Sequence, residues 1–291
     1  MAETEREYKT LIYEPGPVTR IIHNEPEKRN VLSGHFILEF SDALKKFQRN
    51  EEALVAVVLA NGKIFCAGHD LGFVSRHDHF KPGESRHRTE EDWREQLNFM
   101  RDNLYYPLWD CHKPIVVGIQ GGAYAGGVYF TLYCDIVVAA EGTVFGFEVN
   151  RVSGGGMAPA ILPYFIGFRK TMEITLRGWN ISASEAERLG LVNKVVPEEQ
   201  LEAEVMRYAN AMALMPPEIL ILNKQAARYT QNRMGVRDAI WFGAETDIMA
   251  HTTRGEREKE FYKILKEQGM KAAVDFRDKP FEQFGYVRFP K

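Results

Sequence analysis

The sequence has little of what marks secreted, membrane-spanning or polyanion-binding proteins. Among its 291 residues are only three cysteines, and the formal net charge is −3. No run of about 18 apolar residues, the length that spans a bilayer, occurs anywhere. The cysteines, Cys66, Cys111 and Cys134, are odd in number and far apart, which predicts reduced thiols rather than a disulfide framework. These absences predict a cytoplasmic protein without a membrane partner.

The charge balance also argues against nucleic acid as a partner. The pI is near 6.3, so the chain has no general attraction to a polyanion. The first nine residues are polar and lack the apolar stretch of a secretion signal. Hydrophobic residues make up 45% and charged residues 26%, typical of a globular chain that can bury a large core.

The N-terminal two thirds predict alternating strands and helices, hence an α/β fold. Five segments carry this pattern: strands at 18–23, 53–60, 114–120 and 135–140, with a helix at 34–49. A further helix is predicted at 97–110, and a small-residue turn enters a helix within 121–133. The charged stretch 77–94 is predicted to be a solvated loop or lid.

From Glu198 onward the composition changes to amphipathic helical stretches. They are predicted at 201–215, 218–229 and 236–265. We therefore divide the chain into an α/β core with the ligand site, residues 1–197, and a helical region, residues 198–291.

Two glycine turns follow predicted strands, at 65–71 and at 121–127. Glycine lets the backbone turn tightly and leaves amide N–H groups free to meet a ligand. Two such turns facing each other could hold a developing oxyanion. For either turn alone, ordinary strand-to-helix punctuation is the simpler interpretation.

Several motifs together resemble one family. Residues 24–32, NEPEKRNVL, are similar to the NRPEKRNAL motif of the enoyl-CoA hydratase/isomerase (crotonase) superfamily, and FCAGHDL at 65–71 is similar to its FxAGxDL. The segments 121–135, 181–192 and 267–281 resemble further family motifs in the same order. On this resemblance the sequence is identified as a member of that superfamily.

The resemblance implies a crotonase-like α/β fold, a spiral of ββα units followed by a helical C-terminal region for trimerisation or as a lid. It implies that the amides of His69 and Gly126 form an oxyanion hole for a thioester enolate. The implied substrate is an acyl-CoA, with no cofactor beyond its coenzyme A and no metal. The implied assembly is a homotrimer or a dimer of trimers.

The resemblance also suggests which residues meet coenzyme A. They are Lys28, Arg29, Val31, Ala67, His69, Asp70 and Leu71. Lys28 and Arg29 suit the phosphates, although a merely solvated basic pair is the alternative. Asp70 could instead be a helix N-cap. The His69 imidazole is either a bystander lining the pocket or an acid/base group.

The family's catalytic pattern is incomplete in this sequence. Hydratases of the family carry two glutamates, but Tyr129 occupies the first position, and a phenol with a pKa near 10 is a poor base. The second motif is one residue short, so Glu148 or Asn150 could face the substrate, while Val149 could do no proton chemistry. We assign proton transfer to Glu148 and a packing or orienting role to Tyr129.

The sequence thus predicts an enoyl-CoA hydratase, with a branched, cyclic or aromatic acyl group as an option because aromatic residues are plentiful near the motifs. Isomerisation, decarboxylation, hydrolysis or carbon–carbon cleavage would use the same enolate and stay open. A non-catalytic acyl-CoA-binding protein is the alternative of another class. The histidines at 77, 79 and 87 lack the spacing and partners of a zinc site.

Overall fold

The computed structural model describes residues 7–70, 90–152, 154–253 and 255–289. Strands and helices alternate up to residue 196, and helices follow. The strands are β1 (Leu11–Glu14), β2 (Val18–His23), β3 (Val55–Ala60), β4 (Ile115–Ile119), β5 (Gly122–Tyr124), β6 (Ile136–Ala140), β7 (Val144–Gly146), β8 (Ile181–Ser182) and β9 (Lys194–Val196).

The helices of the α/β part are α1 (Gly34–Arg49), α2 (Glu90–Met100), α3 (Tyr106–Trp109), α4 (Gly126–Leu132), α5 (Met157–Ile161), α6 (Pro163–Ile166), α7 (Phe168–Arg177) and α8 (Ala183–Leu189). Those of the C-terminal region are α9 (Leu201–Ala213), α10 (Pro217–Arg233), α11 (Val236–Thr253), α12 (Glu256–Gln268) and α13 (Met270–Glu282). A π-helical turn, Arg101–Tyr105, joins α2 to α3. Short 3₁₀ turns occupy Pro26–Lys28, Glu148–Arg151 and Glu198–Gln200.

The larger sheet has the strand order β1-β2-β3-β4-β6-β9. Strand β1 pairs antiparallel with β2, and every other neighbour pair in this sheet is parallel. Parallel strands are buried on both faces, which is why β3 and β4 are apolar throughout. The predicted α/β class is confirmed.

The two faces of this sheet support two apolar cores. In β3, Val55 and Val57 face the core under α9, whereas Ala56 and Val58 face the core under α1. This alternation follows from the two-residue period of a strand. Helix α9 turns Leu201, Val205 and Ala209, one residue per turn of the helix, onto the first of these cores.

The smaller sheet has the strand order β5-β7-β8. Its first strand, β5, is part of the glycine turn of residues 121–127 that follows β4. Strand β5 runs parallel to β7, and β7 runs antiparallel to β8. The turn needs glycine at 121, because that residue has φ +64° and any side chain there would strike the carbonyl of Lys63. This sheet positions the start of α4 beside the loop after β3.

The C-terminal helices pack directly onto the α/β part. Helix α11 packs against α2 and α5, and α9 packs against β3, β4 and β6. Helix α10 is tied to the sheet by Asp135, which accepts hydrogen bonds from Lys224 Nζ (2.6 Å) and Arg228 Nη2 (2.8 Å). The same carboxylate accepts the amide of Ile115 (2.8 Å) at the start of β4.

Some predicted boundaries are wrong. The charged stretch predicted as a loop through residue 94 turns helical at Glu90, since α2 begins there and buries Trp93. The helix predicted at 236–265 is broken near Gly255, which caps α12, and the strand predicted from 53 begins at Val55. Side-chain polarity suggested a loop where α2 begins, and continuous apolar patterns suggested longer elements around residues 55 and 255. Tertiary packing sets these boundaries, so the local pattern did not predict them.

We expect Asp135→Ala to lower the free energy of unfolding by about 3 kcal/mol, since it leaves Lys224 without its carboxylate in a site where the ammonium is nearly buried. Urea denaturation followed by circular dichroism measures the change. Glu204→Ala breaks the pair with exposed Arg207 and should leave the denaturation midpoint almost unchanged. Equal midpoints for the two variants would contradict the role assigned to Asp135.

Candidate active site

Three motif segments that are distant in the sequence lie side by side. Leu32 donates its amide to the carbonyl of Gly68 (2.8 Å), and Tyr124 donates its amide to the carbonyl of Cys66 (3.0 Å). These contacts are isolated parallel bridges between Leu32 and His69 and between Cys66 and Ala123. The predicted motifs at 24–32, 65–71 and 121–127 therefore meet at one place.

Asn30 holds the first of these segments in position. It is fully buried, and its backbone is left-handed, with φ 50°. Its side-chain amide donates to the carbonyls of Asn61 and Ile64, both at 2.8 Å, and its oxygen accepts the amide of Glu25 at 3.0 Å. Asn30 thus joins the motif of residues 24–32 to the loop after β3. Lys28, in the same motif, is exposed.

The backbone amides of His69 and Gly126 lie at the meeting point, and neither has a protein acceptor within the described ranges. A Cβ placed on Gly68, which has φ +97°, would lie 2.8 Å from the carbonyl of Tyr124 and 3.5 Å from the amide of Gly126, so the two turns touch. Gly126 is the first residue of α4, where no intrahelical acceptor exists. Ala125 before it has φ 47° and ψ −115°, a strained backbone for an alanine.

The His69 side chain lies over Gly126, where any Cβ would collide with the imidazole. Its Nε2 is 2.9 Å from the hydroxyl of Tyr105. Burial lowers the pKa of His69 to about 4, against the opposing charge of Asp247. The imidazole is therefore neutral at physiological pH.

Tyr129 also lies at this place, on α4. It is 3% exposed, and its ring centroid is 6.3 Å from that of His69. Burial, reinforced by the charges of Asp247 and Glu148, raises the pKa of the phenol. Tyr129 therefore keeps its proton and is a hydrogen-bonding group rather than a base.

Glu148 begins the 3₁₀ turn after β7 and is 7% exposed. Its Oε1 lies 3.4 Å from Nη2 of Arg277, a residue of α13. Its Oε2 is buried and has no hydrogen-bond partner within the described part of the chain. That oxygen lies over Gly146, beside the ring of Tyr124. Burial raises the pKa of Glu148, although Arg277 opposes the rise.

Asn150, the alternative to Glu148, is directed elsewhere. Its side-chain amide donates to the carbonyl of Thr175 at 3.1 Å, and its oxygen packs on Gly155. Of the two candidates, Glu148 is the one beside the glycine turn.

The family model "Enoyl-CoA hydratase/isomerase" matches residues 14–283. The chain belongs to this family. A protein of Thermus thermophilus named "Putative enoyl-CoA hydratase" is 32% identical over 241 residues, which is 82% of this chain and 91% of its own. A peroxisomal Delta(3,5)-Delta(2,4)-dienoyl-CoA isomerase of Arabidopsis thaliana is 32% identical over 199 residues, 66% of this chain and 71% of its own.

Solved structures agree with the family assignment. An enoyl-CoA hydratase/isomerase from Xanthobacter autotrophicus Py2 superposes with a TM-score of 0.85 at 27% identity, covering 94% of this chain and 99% of the other. The predicted family and crotonase-like fold are confirmed, and the protein is an enzyme of this family.

Six of the seven residues predicted to meet coenzyme A are described, and they belong to the segments 24–32 and 65–71 that lie side by side here. Arg29 and Lys28 are exposed, and the carbonyl of Arg29 accepts the amide of Ala67 at 3.0 Å. Glu25 bonds Lys28 Nζ at 2.7 Å and, with a smaller contribution from Asp70, raises the pKa of the ammonium.

Val31, Ala67 and Asp70 are all partly buried, and Asp70 donates its amide to Leu32 at 3.4 Å. Leu71 lies outside the described residues, as do the residues that a helix capped by Asp70 would contain.

Sequence reasoning missed several side chains that shape the site, Tyr105, Arg277 and Asp247 among them. Asp247 of α11 accepts the amides of Gly155 (2.6 Å) and Gly156 (3.2 Å) with Oδ1. For Asp247 the sequence signal was the glycine triplet at 154–156, where the family has a different pattern. Tyr105 and Arg277 lie on helical segments, and no local sequence pattern reveals which residues those segments contact.

Within the described ranges no group of three His, Cys, Asp or Glu side chains could hold a metal ion. The histidines at 77, 79 and 87 lie outside those ranges. None of the described helices is long and apolar enough to cross a membrane. All three cysteines are buried and free of disulfides.

We expect Glu148→Gln to raise the melting temperature at about pH 8 and to have little effect at about pH 4.5. The native state holds the Glu148 pKa above its unfolded value near 4.3, so the wild type loses stability as the pH rises through the shifted pKa, and glutamine does not. Arg277 keeps Asp278 as a partner in the variant. Calorimetry at both pH values measures this.

Glu173→Gln is the matched control, because that carboxylate is half-exposed and paired with Lys170. It should show no gain at pH 8. A Glu148→Gln variant less stable than the wild type at pH 8 would show that the carboxylate is stabilising as an ion pair.

Proposed function

We propose that the protein is an enoyl-CoA hydratase. The observation that carries the proposal is the arrangement of two free amides, of His69 and Gly126, in the same site as the buried, unpartnered oxygen of Glu148. An oxyanion hole needs two such donors, and enolate chemistry needs a carboxyl that can gain and lose a proton near neutral pH.

In the proposed reaction the thioester carbonyl accepts hydrogen bonds from the amides of His69 and Gly126. Polarisation lowers the energy of the enolate that forms when water adds to the β-carbon. Glu148 takes a proton from the water and returns one to the α-carbon, so the carboxyl ends in its starting state. Its raised pKa makes both transfers accessible. Tyr129, which stays protonated, orients water or substrate by hydrogen bonding.

Coenzyme A enters as part of the substrate, and the proposal requires no other cofactor. We assign Lys28 and Arg29 to its phosphates, and Val31, Ala67, His69, Asp70 and Leu71 to its adenine and pantetheine. The rings of Tyr124, Tyr129 and His69 near these groups leave a branched, cyclic or aromatic acyl group as an option.

Double-bond isomerisation is the second candidate. One carboxyl suffices to carry a proton between two carbons of the acyl chain, and Glu148 is one carboxyl. One of the relatives is a dienoyl-CoA isomerase, which supports isomerisation as the second candidate.

The proposed assembly is a homotrimer or a dimer of trimers. Phe168, Met172 and Leu176, four residues apart on α7, form an exposed apolar stripe. Leu214 and Tyr229 add exposed apolar surface near and on α10. The cytoplasmic location stays a prediction.

We expect the wild type to add water to a member of a panel of short, branched, cyclic and aromatic enoyl-CoAs, detected by mass spectrometry. Glu148→Gln should lose at least about 100-fold in kcat, in line with the loss of a general acid/base, while Glu173→Gln should match the wild type. A product of unchanged mass with a shifted double bond would favour the isomerase, and no product from any substrate in the panel would contradict the hydratase assignment.

We expect Lys28→Ala to weaken coenzyme A binding about tenfold, and more at low salt, because a charge-assisted phosphate contact is lost. Glu25→Gln should strengthen binding, since Glu25 competes with phosphate for the Lys28 ammonium. Isothermal titration calorimetry measures both, with Lys45→Ala, an exposed lysine of α1, as the control. Unchanged affinity in both test variants would remove Lys28 from the coenzyme A site.

A further inference from the structure

Tyr105 is the last residue of the π-helical turn between α2 and α3, a kind of turn that is often found at functional sites. It is fully buried, and its ring stacks on that of Tyr133 with centroids 4.9 Å apart. Its hydroxyl is 2.9 Å from Nε2 of His69. The packing leaves the phenol little freedom to turn toward another partner.

This hydrogen bond has a preferred direction. A buried phenol O–H needs an acceptor, and within the described residues Nε2 of His69 is the only one that the Tyr105 hydroxyl reaches. If Nε2 carried the hydrogen instead, the buried O–H would have no acceptor there. The phenol therefore donates, and Nε2 carries no hydrogen.

Both groups hold the charge states that this direction needs. Burial raises the pKa of Tyr105 well above its ordinary value, so the phenol keeps its proton. Burial lowers the pKa of His69 to about 4, so the imidazole is neutral and carries one hydrogen. With Nε2 bare, that hydrogen is on Nδ1.

The groups that face His69 come from three elements besides its own loop. Tyr129 of α4 and Tyr105 of the π-helical turn are neutral. Asp247 and His251 of α11 lie together, with Nε2 of His251 3.7 Å from Oδ2 of Asp247. The charge of Asp247 favours protonation of His69 and that of His251 opposes it, so burial decides the balance.

The imidazole lies on Gly126 with its Nε2, Cδ2 and Cε1 atoms nearest, and its Nδ1 has no hydrogen-bond partner among the described residues. We propose that Tyr105 fixes His69 as the Nδ1–H tautomer and that this neutral N–H is a hydrogen-bond donor to the acyl group. His69 is then a substrate-positioning donor and not a general base. The second part rests on the proposed function; the tautomer does not.

The tautomer is tested by nitrogen-15 NMR of the full-length protein labelled in its histidine rings, with His69→Asn identifying the His69 signals. At neutral pH we expect the shift of a bare nitrogen for Nε2 and of a protonated one for Nδ1. Tyr105→Phe should shift the population toward Nε2–H. Tyr133→Phe is the matched control: an equally buried tyrosine in the same stack, whose hydroxyl has no hydrogen-bond partner among the described residues.

A hydrogen on Nε2 in the wild type would overturn the proposal, and so would a tautomer that Tyr105→Phe leaves unchanged. If Tyr105→Phe does not fold, the wild-type spectrum alone still decides the position of the hydrogen.

The donor role is tested by adding butyryl-CoA, an unreactive acyl thioester, to the labelled protein. It should move the Nδ1 proton resonance of His69, whereas coenzyme A alone should not. Equal responses to the two ligands would overturn the donor role. Because neither measurement needs turnover, failure of the proposed hydratase activity leaves both results interpretable.

Where an enoyl-CoA substrate is found, side-chain replacement gives a further readout. His69→Asn places an amide N–H near the position of Nδ1–H and should keep kcat/KM within about threefold, whereas His69→Leu should lower it about tenfold, as for one neutral hydrogen bond. Backbone amides are the same in both variants. Equal losses in the two variants would overturn the donor role.

Discussion

The site depends on backbone pairing between segments that are distant in the sequence. Cys66 bridges Ala123, and Leu32 bridges His69, so the loop after β3 is fixed between the N-terminal motif and the start of α4. Among the described residues, the amides of Ala67, Asp70 and Tyr124 are satisfied around these bridges, while those of His69 and Gly126 have no acceptor. The strained Ala125 between β5 and α4 marks the place where the fold maintains this arrangement.

The C-terminal region completes the site within one chain. Asp278 of α13 is fully buried and accepts hydrogen bonds from Arg151, Arg277 and Arg288. This cluster fixes Arg277 next to Glu148, while Asp278 takes the shorter of the Arg277 contacts. Arg277 thus compensates the charge of the Glu148 carboxylate only in part. Burial therefore remains the main influence on the pKa of Glu148. A carboxyl in that state can exchange protons, unlike one in a complete ion pair.

The polar groups of the candidate site differ in whether they can exchange protons near neutral pH. Tyr129 and Tyr105 keep their protons because they are buried among apolar and aromatic neighbours. His69 is partly buried, and desolvation of its imidazole lowers its pKa and keeps it neutral. Among these groups only Glu148 has a pKa shifted toward neutrality. One exchanging carboxyl beside several neutral donors is consistent with enolate chemistry in which hydrogen bonds orient water or substrate.

The sequence by itself determined the α/β class, helix α1 with its boundaries, and the glycine turns, because the periodicity of apolar residues and the need for positive φ are local properties. Family motifs likewise pointed to His69, Gly126 and Lys28. Only the tertiary structure decided that Glu148 rather than Asn150 lies beside the glycine turn, since a one-residue deletion leaves the register of the motif open. Only the tertiary structure, too, brings α2, α11 and α13 to the site, because their contacts join residues far apart in the sequence, and no local pattern encodes which buried groups will meet.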